Sequence, residues 1–290
     1  MNKFSDYWDE FRESKRGVFG AILTCILILV ALLAPVISPQ NPYDLSMLFL
    51  DKSNLSPNLF TDISKCQFLL GSDAQGRDML SAILYGLRIS LYVALASTVL
   101  SAAFGTIMGL LAGYAGGRTD AVIMRIADIQ LSFPAILIAL VIMSLWGQGL
   151  FNIIIAISIV NWVYYARTAR GSTLSEREKD YVDAARATGI SPAAIMFREI
   201  LPNIVAPIIV IGTVRIANAI ILESTLSFLG LGVPITEPSL GALINEGYQV
   251  LFSGFWWISV FPGLALMSIV LGINLLGDRL RDVLNPRLKR

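Results

Sequence analysis

The 290 residues contain no histidine. That one absence removes imidazole acid–base chemistry, His-ligated metal centres and Ser-His-Asp hydrolysis together. Charge is also scarce, at 15% of residues, against roughly 25% in an ordinary soluble domain. The formal net charge of +1 gives no case for nucleic acid as a partner. Cysteine is nearly missing. Cys25, in an apolar run, reads as a buried thiol and Cys66, in a polar stretch, as a lone one, which excludes a disulfide framework or a metal site. The sequence has no G-x-x-x-x-G-K-[ST] P-loop and hence no nucleotide site of that kind. It shows no internal repeat of the kind that ion-coupled secondary transporters are built from. No catalytic residues pair on facing segments, which argues against an intramembrane enzyme. The first apolar run is not followed by a small-residue cleavage pattern but by Pro35 and Pro39, so it reads as an uncleaved span.

What fills the chain instead is apolar, 55% of it. Six runs approach the ~20 residues that a bilayer core requires. They lie at about Gly17–Ile37, Ile89–Ala112, Ala121–Trp146, Leu150–Ala166, Asn203–Leu229 and Phe255–Leu276. The fold class that follows is an all-α membrane protein with six transmembrane helices. Basic residues set the orientation. One set of connections holds Lys3, Arg12, Lys15 and Arg16, then Arg118 and Arg125, then Arg167, Arg170, Arg177, Lys179, Arg186 and Arg198, and finally Arg279, Arg281, Arg287, Lys289 and Arg290. The other set holds only Lys52, Lys65, Arg77 and Arg88. Both termini are therefore placed in the cytoplasm.

The connections have their own patterns. Residues 1–16 carry Phe4, Tyr7, Trp8 and Phe11 at helical spacing, with charges between, as an interfacial helix does. Residues 17–37 are the first span. Residues 38–88 form an external loop whose end, Asp78 to Tyr85, turns amphipathic and reads as a surface helix. Residues 89–278 make the membrane core, and 279–290 a cytoplasmic tail. In the last external loop, Trp256 and Trp257 fall where an aromatic belt would lie.

The cytoplasmic link 167–202 is too long for a turn and reads as a helical hairpin. Ser175 with Glu178 has the form of a capping box. Tyr181, Ala184, Ala185 and Thr188 then recur on one face, small enough for another protein surface to approach. Gly189 takes the left-handed C-terminal position. Ser191 and Pro192 start a second helix that stops near Pro202. In the second span Gly105, Gly109, Gly113 and Gly117 share a face, the pattern of close helix packing. Asp128, Gln130, Arg215 and Glu223 are polar groups within or beside spans, candidates for the pathway or for a subunit contact. Arg215 and Glu223 are two turns apart, about 12 Å by helix rise, too far to pair with each other.

The stretch Asp183-Ala184-Ala185-Arg186-Ala187-Thr188-Gly189, with Leu201-Pro202-Asn203 after it, resembles the "EAA" loop of ABC importer permeases. Gly71 to Asp78, Gly86 to Leu91, Leu226 to Gly232, Leu240 to Ala242 and Asn274 to Asp282 extend the resemblance to the C-type permease of dipeptide, oligopeptide and nickel importers. Two positions depart from that pattern: Asp183 stands where Glu is usual, and Glu199 where His often precedes Leu-Pro. The resemblance implies a coupling helix in which Tyr181, Asp183, Ala184, Ala185, Gly189, Leu201 and Pro202 meet a separate ATPase. It implies no cofactor on this chain, with ATP and magnesium held by two partner ATPase subunits. A homologous second permease, an external solute-binding protein and the bilayer of a bacterial inner membrane complete the implied assembly. Peptides are the default solute, with nickel, opines or another small solute as the alternative.

Overall fold

The structure is a computed structural model that describes residues 9–44, 50–57, 68–234 and 236–284. Phe4, Tyr7, Trp8, Lys65, Cys66, Arg287, Lys289 and Arg290 lie outside these. Among the described residues there is no β-strand, only one isolated bridge between Ser72 and Asp78.

Helix α1 (Lys15–Ile37) begins where Ser14 accepts a hydrogen bond from the Gly17 amide at 3.2 Å. Its small residues Gly17, Gly20 and Thr24 lie against the last helix of the chain, α9 (Trp257–Leu284). A Cβ on Gly20 would come within 2.6 Å of the Leu275 Cβ, so this seam brings backbones close. The turn at 9–13 docks on the same helix: Arg279 donates to the carbonyls of Glu10 and Phe11. Cys25 points outward from α1, not into a core.

Helix α2 (Met79–Ala115) runs 37 residues without a break. The surface helix expected over Asp78 to Tyr85 is in fact its first two turns. Asp78 caps it, its carboxylate accepting from the Ser81 amide at 2.8 Å and from the Ser81 hydroxyl. Met79 and Ala82 are wholly buried. The polar residues that made this stretch look exposed find protein partners instead of water.

The third expected span is broken. Helix α3 (Gly117–Leu131) and helix α4 (Ala135–Trp146) meet at a 90° bend. Pro134 has no N–H to give the ladder and disfavours helix at Phe133 before it. Helix α5 (Leu150–Glu176) overruns the fourth expected span by ten residues. Ser175 therefore sits in its last turn, and the capping-box reading of that residue is wrong. After the short α6 (Asp180–Ala187), helix α7 (Pro192–Phe228) forms a second unbroken stretch. It does not stop at Pro202. A π-turn over Ile195–Ile200 widens the helix just before the proline, with the Leu201 amide bonding back to the Met196 carbonyl. Asn203 donates its side-chain amide to the Glu199 carbonyl at 2.7 Å, a contact set one turn back along the same helix.

Helix α8 (Leu240–Gln249) is short and lies over the start of α9. Trp257 is buried and donates to the Ser72 carbonyl at 3.2 Å, so it belongs to the core, whereas Trp256 remains half exposed. Five described helices are long and apolar enough to cross a membrane, and the α3–α4 pair makes a sixth if counted as one span. Val36 at 80% exposure and Leu145 at 78% are typical of their outer faces, which only lipid or another apolar surface can cover.

Candidate functional site

Helix α6 is held by one side. Lys179 precedes it in extended backbone, Asp180 and Asp183 fall in its first turn, and Arg186 falls in its last. That charge order suits the helix dipole. Its end is a Schellman closure: the Ile190 amide donates to the Ala185 carbonyl and the Gly189 amide to the Arg186 carbonyl, with Gly189 at φ +77°. Val182 and Ala185 are buried against Leu110, Ala169, Ile195, Ile200 and Ile204. Tyr181 is half buried beside them; its hydroxyl donates to Glu176 at 2.9 Å and accepts from Asn203 at 3.3 Å. Asp183, Ala184, Ala187, Thr188 and Gly189 are exposed, as is Pro202, while Leu201 is half buried. The single face read from the sequence is thus divided: Ala185 and Tyr181 fasten α6 to α5 and α7, and Ala184 and Thr188 look away.

The small-residue stripe on α2 lies against α5. A Cβ on Gly105, Gly109 or Gly113 would meet in turn Tyr165, Ala169 and Thr173, at 2.7, 2.6 and 2.7 Å from their Cβ atoms. The Trp162 and Ala166 carbonyls come closer still. The two helices run in the same direction, and the chain passes from one to the other through α3 and α4. Gly117 has open space around it.

The polar groups of the spans separate into different roles. Gln130 ties α3 to α5, donating to the Ile159 and Val160 carbonyls at 2.7 and 3.0 Å and accepting from Trp162 at 2.8 Å. Asp128 pairs with Arg167 at a half-exposed site. Glu223 is wholly buried and accepts from Ser90 of α2 at 2.6 Å, from Ser227 at 2.8 Å and from Ser224 at 3.3 Å. Arg215 stacks on Tyr164 of α5, its guanidinium carbon 3.3 Å from the ring centroid. The structure brings none of these four together.

At the end of the bundle remote from α6 lies a cluster that sequence reasoning missed. Asp73 accepts from the amides of Gln75 and Arg77 at 2.9 and 2.8 Å and from the Arg77 side chain at 2.5 Å. Arg77 is 2% exposed and also reaches Glu246 on α8 at 3.5 Å. The four-residue spacing of Asp73 and Arg77 was visible, but Glu246 lies 169 positions away. Burial pushes the Glu246 carboxyl up to about 7, against the downward pull of Arg77. In an unfolded chain a glutamate titrates near ~4.3. Between about 4.3 and 7 the folded chain holds a proton that the unfolded chain has released, so stability falls as pH rises through that window. Glu246→Gln should flatten the thermal midpoint across the window and exceed the parent in stability above it. A parent midpoint that does not fall with pH would show that Glu246 holds no such proton.

Five apolar helices long enough to span a membrane, a bent pair that makes a sixth and a short helix clamped at one end of the bundle define a polytopic membrane protein. The comparisons say which kind. Residues 105–290 match the family described as "Binding-protein-dependent transport system inner membrane component". Residues 3–57 match the "N-terminal TM domain of oligopeptide transport permease C". The dipeptide transport system permease protein DppC of Haemophilus influenzae is 38% identical over 98% of this chain and 95% of its own length. The di/tripeptide permease DppC of Pseudomonas aeruginosa is 38% identical over 98% and 92%. The glutathione transport system permease protein GsiD of Pectobacterium atrosepticum is also 38% identical, over 98% and 91%. Among solved structures, the inward-facing MetNI methionine ABC transporter matches 71% of this chain and 97% of its own, with a TM-score of 0.58 and 20% identity, a likeness of fold. The chain belongs to the binding-protein-dependent transport system inner membrane component family.

Proposed function

We propose that this chain forms one half of the translocation pathway of an ATP-driven peptide importer. Its termini lie in the cytoplasm, and α6 is the helix that docks on a separate ATPase subunit. ATP and magnesium bind there, and this chain is not itself an enzyme. A homologous second permease completes the pathway, and a solute-binding protein delivers the peptide from outside.

The observation that carries the reading is the two-sided character of α6. Its inner face is fastened to α5 and α7, and its outer face, Asp183, Ala184, Ala187 and Gly189, is exposed. Peptide as the solute is supported by relatives that match nearly the whole chain and are named for dipeptide transport. The mechanism follows from the attachment. When the ATPases close, they draw α6 with them, and α7, reached through Leu201 and Pro202, tilts and switches the side to which the pathway opens.

Two measurements test this. A strain without the chain should lose uptake of labelled di- or oligopeptides, and a plasmid copy should restore it. A cysteine at Ala187 should cross-link to an ATPase subunit, while one at Gly147, at the far end of α4, should not. Unchanged peptide uptake would overturn the solute class, and cross-linking from Gly147 instead of Ala187 would overturn the docking role.

A further inference from the structure

We propose that Arg215 binds a carboxylate of the passing solute just beyond the inner end of a groove between α5 and α7. This rests on the pathway role given above and names the chemistry of one point on it.

Arg215 is fourteen residues past Leu201, about 21 Å along the helix, near the middle of its membrane stretch. Arg77, Arg167, Arg170 and Arg186 each meet a carboxylate within 3.5 Å. Arg215 forms none of the ion pairs among the described residues. Its Nε is sealed from solvent and has no acceptor. Stacking on Tyr164 offsets part of the cost of the charge. A ring face, however, satisfies no N–H. A cation at this depth is costly unless something answers it.

Beside it the Tyr165 and Thr98 hydroxyls are buried within reach of each other and of no further partner. Gly212, one turn before Arg215, keeps space open there: a Cβ would stand 3.7 Å from the Tyr165 hydroxyl. The Arg215 guanidinium of α7 is thus left without an acceptor at Nε, beside a buried pair of hydroxyls from α2 and α5.

A groove ends just short of that point, its lining on α7 stopping at Val214. It has a volume of about 760 Å³ and runs between α5 and α7 from the level of α6. Thr168 and Val214 line its upper end, one turn from Tyr164 and adjacent to Arg215. The volume falls in the range of ~300–1,000 Å³ typical of small-molecule sites. Its charged residues, Glu176 and Arg281, stand at the other end, and Glu176 is already engaged by Lys179 at 2.7 Å and by Tyr181. The groove itself thus brings no carboxylate to Arg215. A small solute whose free carboxyl end extends past Val214 would complete the planar fork of hydrogen bonds that guanidinium makes with carboxylate. The recess favours a solute over an acidic side chain of the second permease, because the point lies deep between two helices of the same chain.

The test uses the complete importer in proteoliposomes, with Cys25 and Cys66 replaced by serine and a single cysteine at Ile211 in the groove. Its labelling is followed with an anionic and a cationic methanethiosulfonate. With Arg215 present the anionic reagent should be favoured, and Arg215→Gln should cut that preference about tenfold, the loss of one charge-assisted hydrogen bond. Arg215→Lys should retain most of it. Millimolar alanyl-alanine should protect the cysteine with Arg215 and not with Arg215→Gln, while ATP hydrolysis stimulated by the loaded binding protein persists in both. An unchanged reagent preference with protection retained in Arg215→Gln would overturn the proposal. So would loss of the second permease from the Arg215→Gln complex, which would identify its carboxylate as the partner. If the unsubstituted importer moves no dipeptide, the peptide reading fails separately, and the reagent preference still decides the anion site.

Discussion

Ala184→Asp is expected to abolish solute uptake while leaving the chain inserted and folded. Ala184 is exposed near the middle of α6, on the side turned away from α5 and α7. It makes no side-chain contact that holds the helix in place. A carboxylate there is the fifth of eight helical residues, and its i,i+4 repulsion with Asp180 weakens α6 by only about 0.2–0.5 kcal/mol. What changes is the outward surface, which gains a bulky charge that a protein interface would have to desolvate. Burying an unpaired carboxylate costs several kcal/mol, enough to release a docked partner whose affinity changes tenfold for every ~1.4 kcal/mol. Ala185→Asp makes the contrast. Ala185 is 7% exposed and packs with Ile200 and Ile204, so a charge there detaches α6 and lowers the amount of folded chain. The measurements are membrane content, recovery of the ATPase with the purified permease, and uptake. Full uptake by the Ala184→Asp variant at normal membrane content would dispose of the docking role.

The division of α6 into two faces shows where reading the sequence stops. Length and apolarity are local properties, so the spans could be read directly. The Schellman position of Gly189 and the start at Ser191 were legible for the same reason: each depends on a few adjacent residues. The errors lie where a distant partner decides. Asp78 and Ser81 looked like the polar side of a surface helix because Trp257 and Glu246, which help close that region, are more than 160 positions away. Glu223 read as a pathway group or a subunit contact, and three serine hydroxyls of the same chain hold it. Pro134 was in plain view, but a proline inside a membrane stretch is compatible with a kink, a break or an undisturbed helix. The 90° bend is settled by what α3 and α4 pack against. Ser175 and Glu178 illustrate the opposite failure, a correct local motif made irrelevant because α5 continues through it.

The second large effect is expected at Gly109, where Leu should prevent the folded bundle from forming. Glycine inside a helix costs about 1 kcal/mol relative to alanine. Three on one face of α2 need a compensating gain, and the closeness of α5 supplies it. At Gly109 the missing side chain is replaced by the backbone of the partner helix: a Cβ would overlap the Ala166 carbonyl, lie 2.6 Å from the Ala169 Cβ and 2.9 Å from the Arg170 amide. Backbone cannot move aside as a flexible side chain does, so the helices themselves must separate. Overpacking in a well-ordered core commonly costs 1–3 kcal/mol, and the upper end or more is expected where the obstruction is main chain. Separation would also pull apart the Arg177 hydrogen bond to the Gly113 carbonyl at 2.9 Å on the same seam and strain the bidentate Arg170–Asp120 pair, at 2.5 and 2.6 Å, that ties α5 to the start of α3. Gly171 on α5 provides the control, since a Cβ there meets nothing within 4 Å. Gly171→Ala should leave the thermal midpoint of the purified chain unchanged or slightly raised. Gly109→Ala should lower it, and Gly109→Leu should leave little folded protein to measure. A Gly109→Leu chain that accumulates and melts like the parent would mean that α2 and α5 do not approach each other along this stripe.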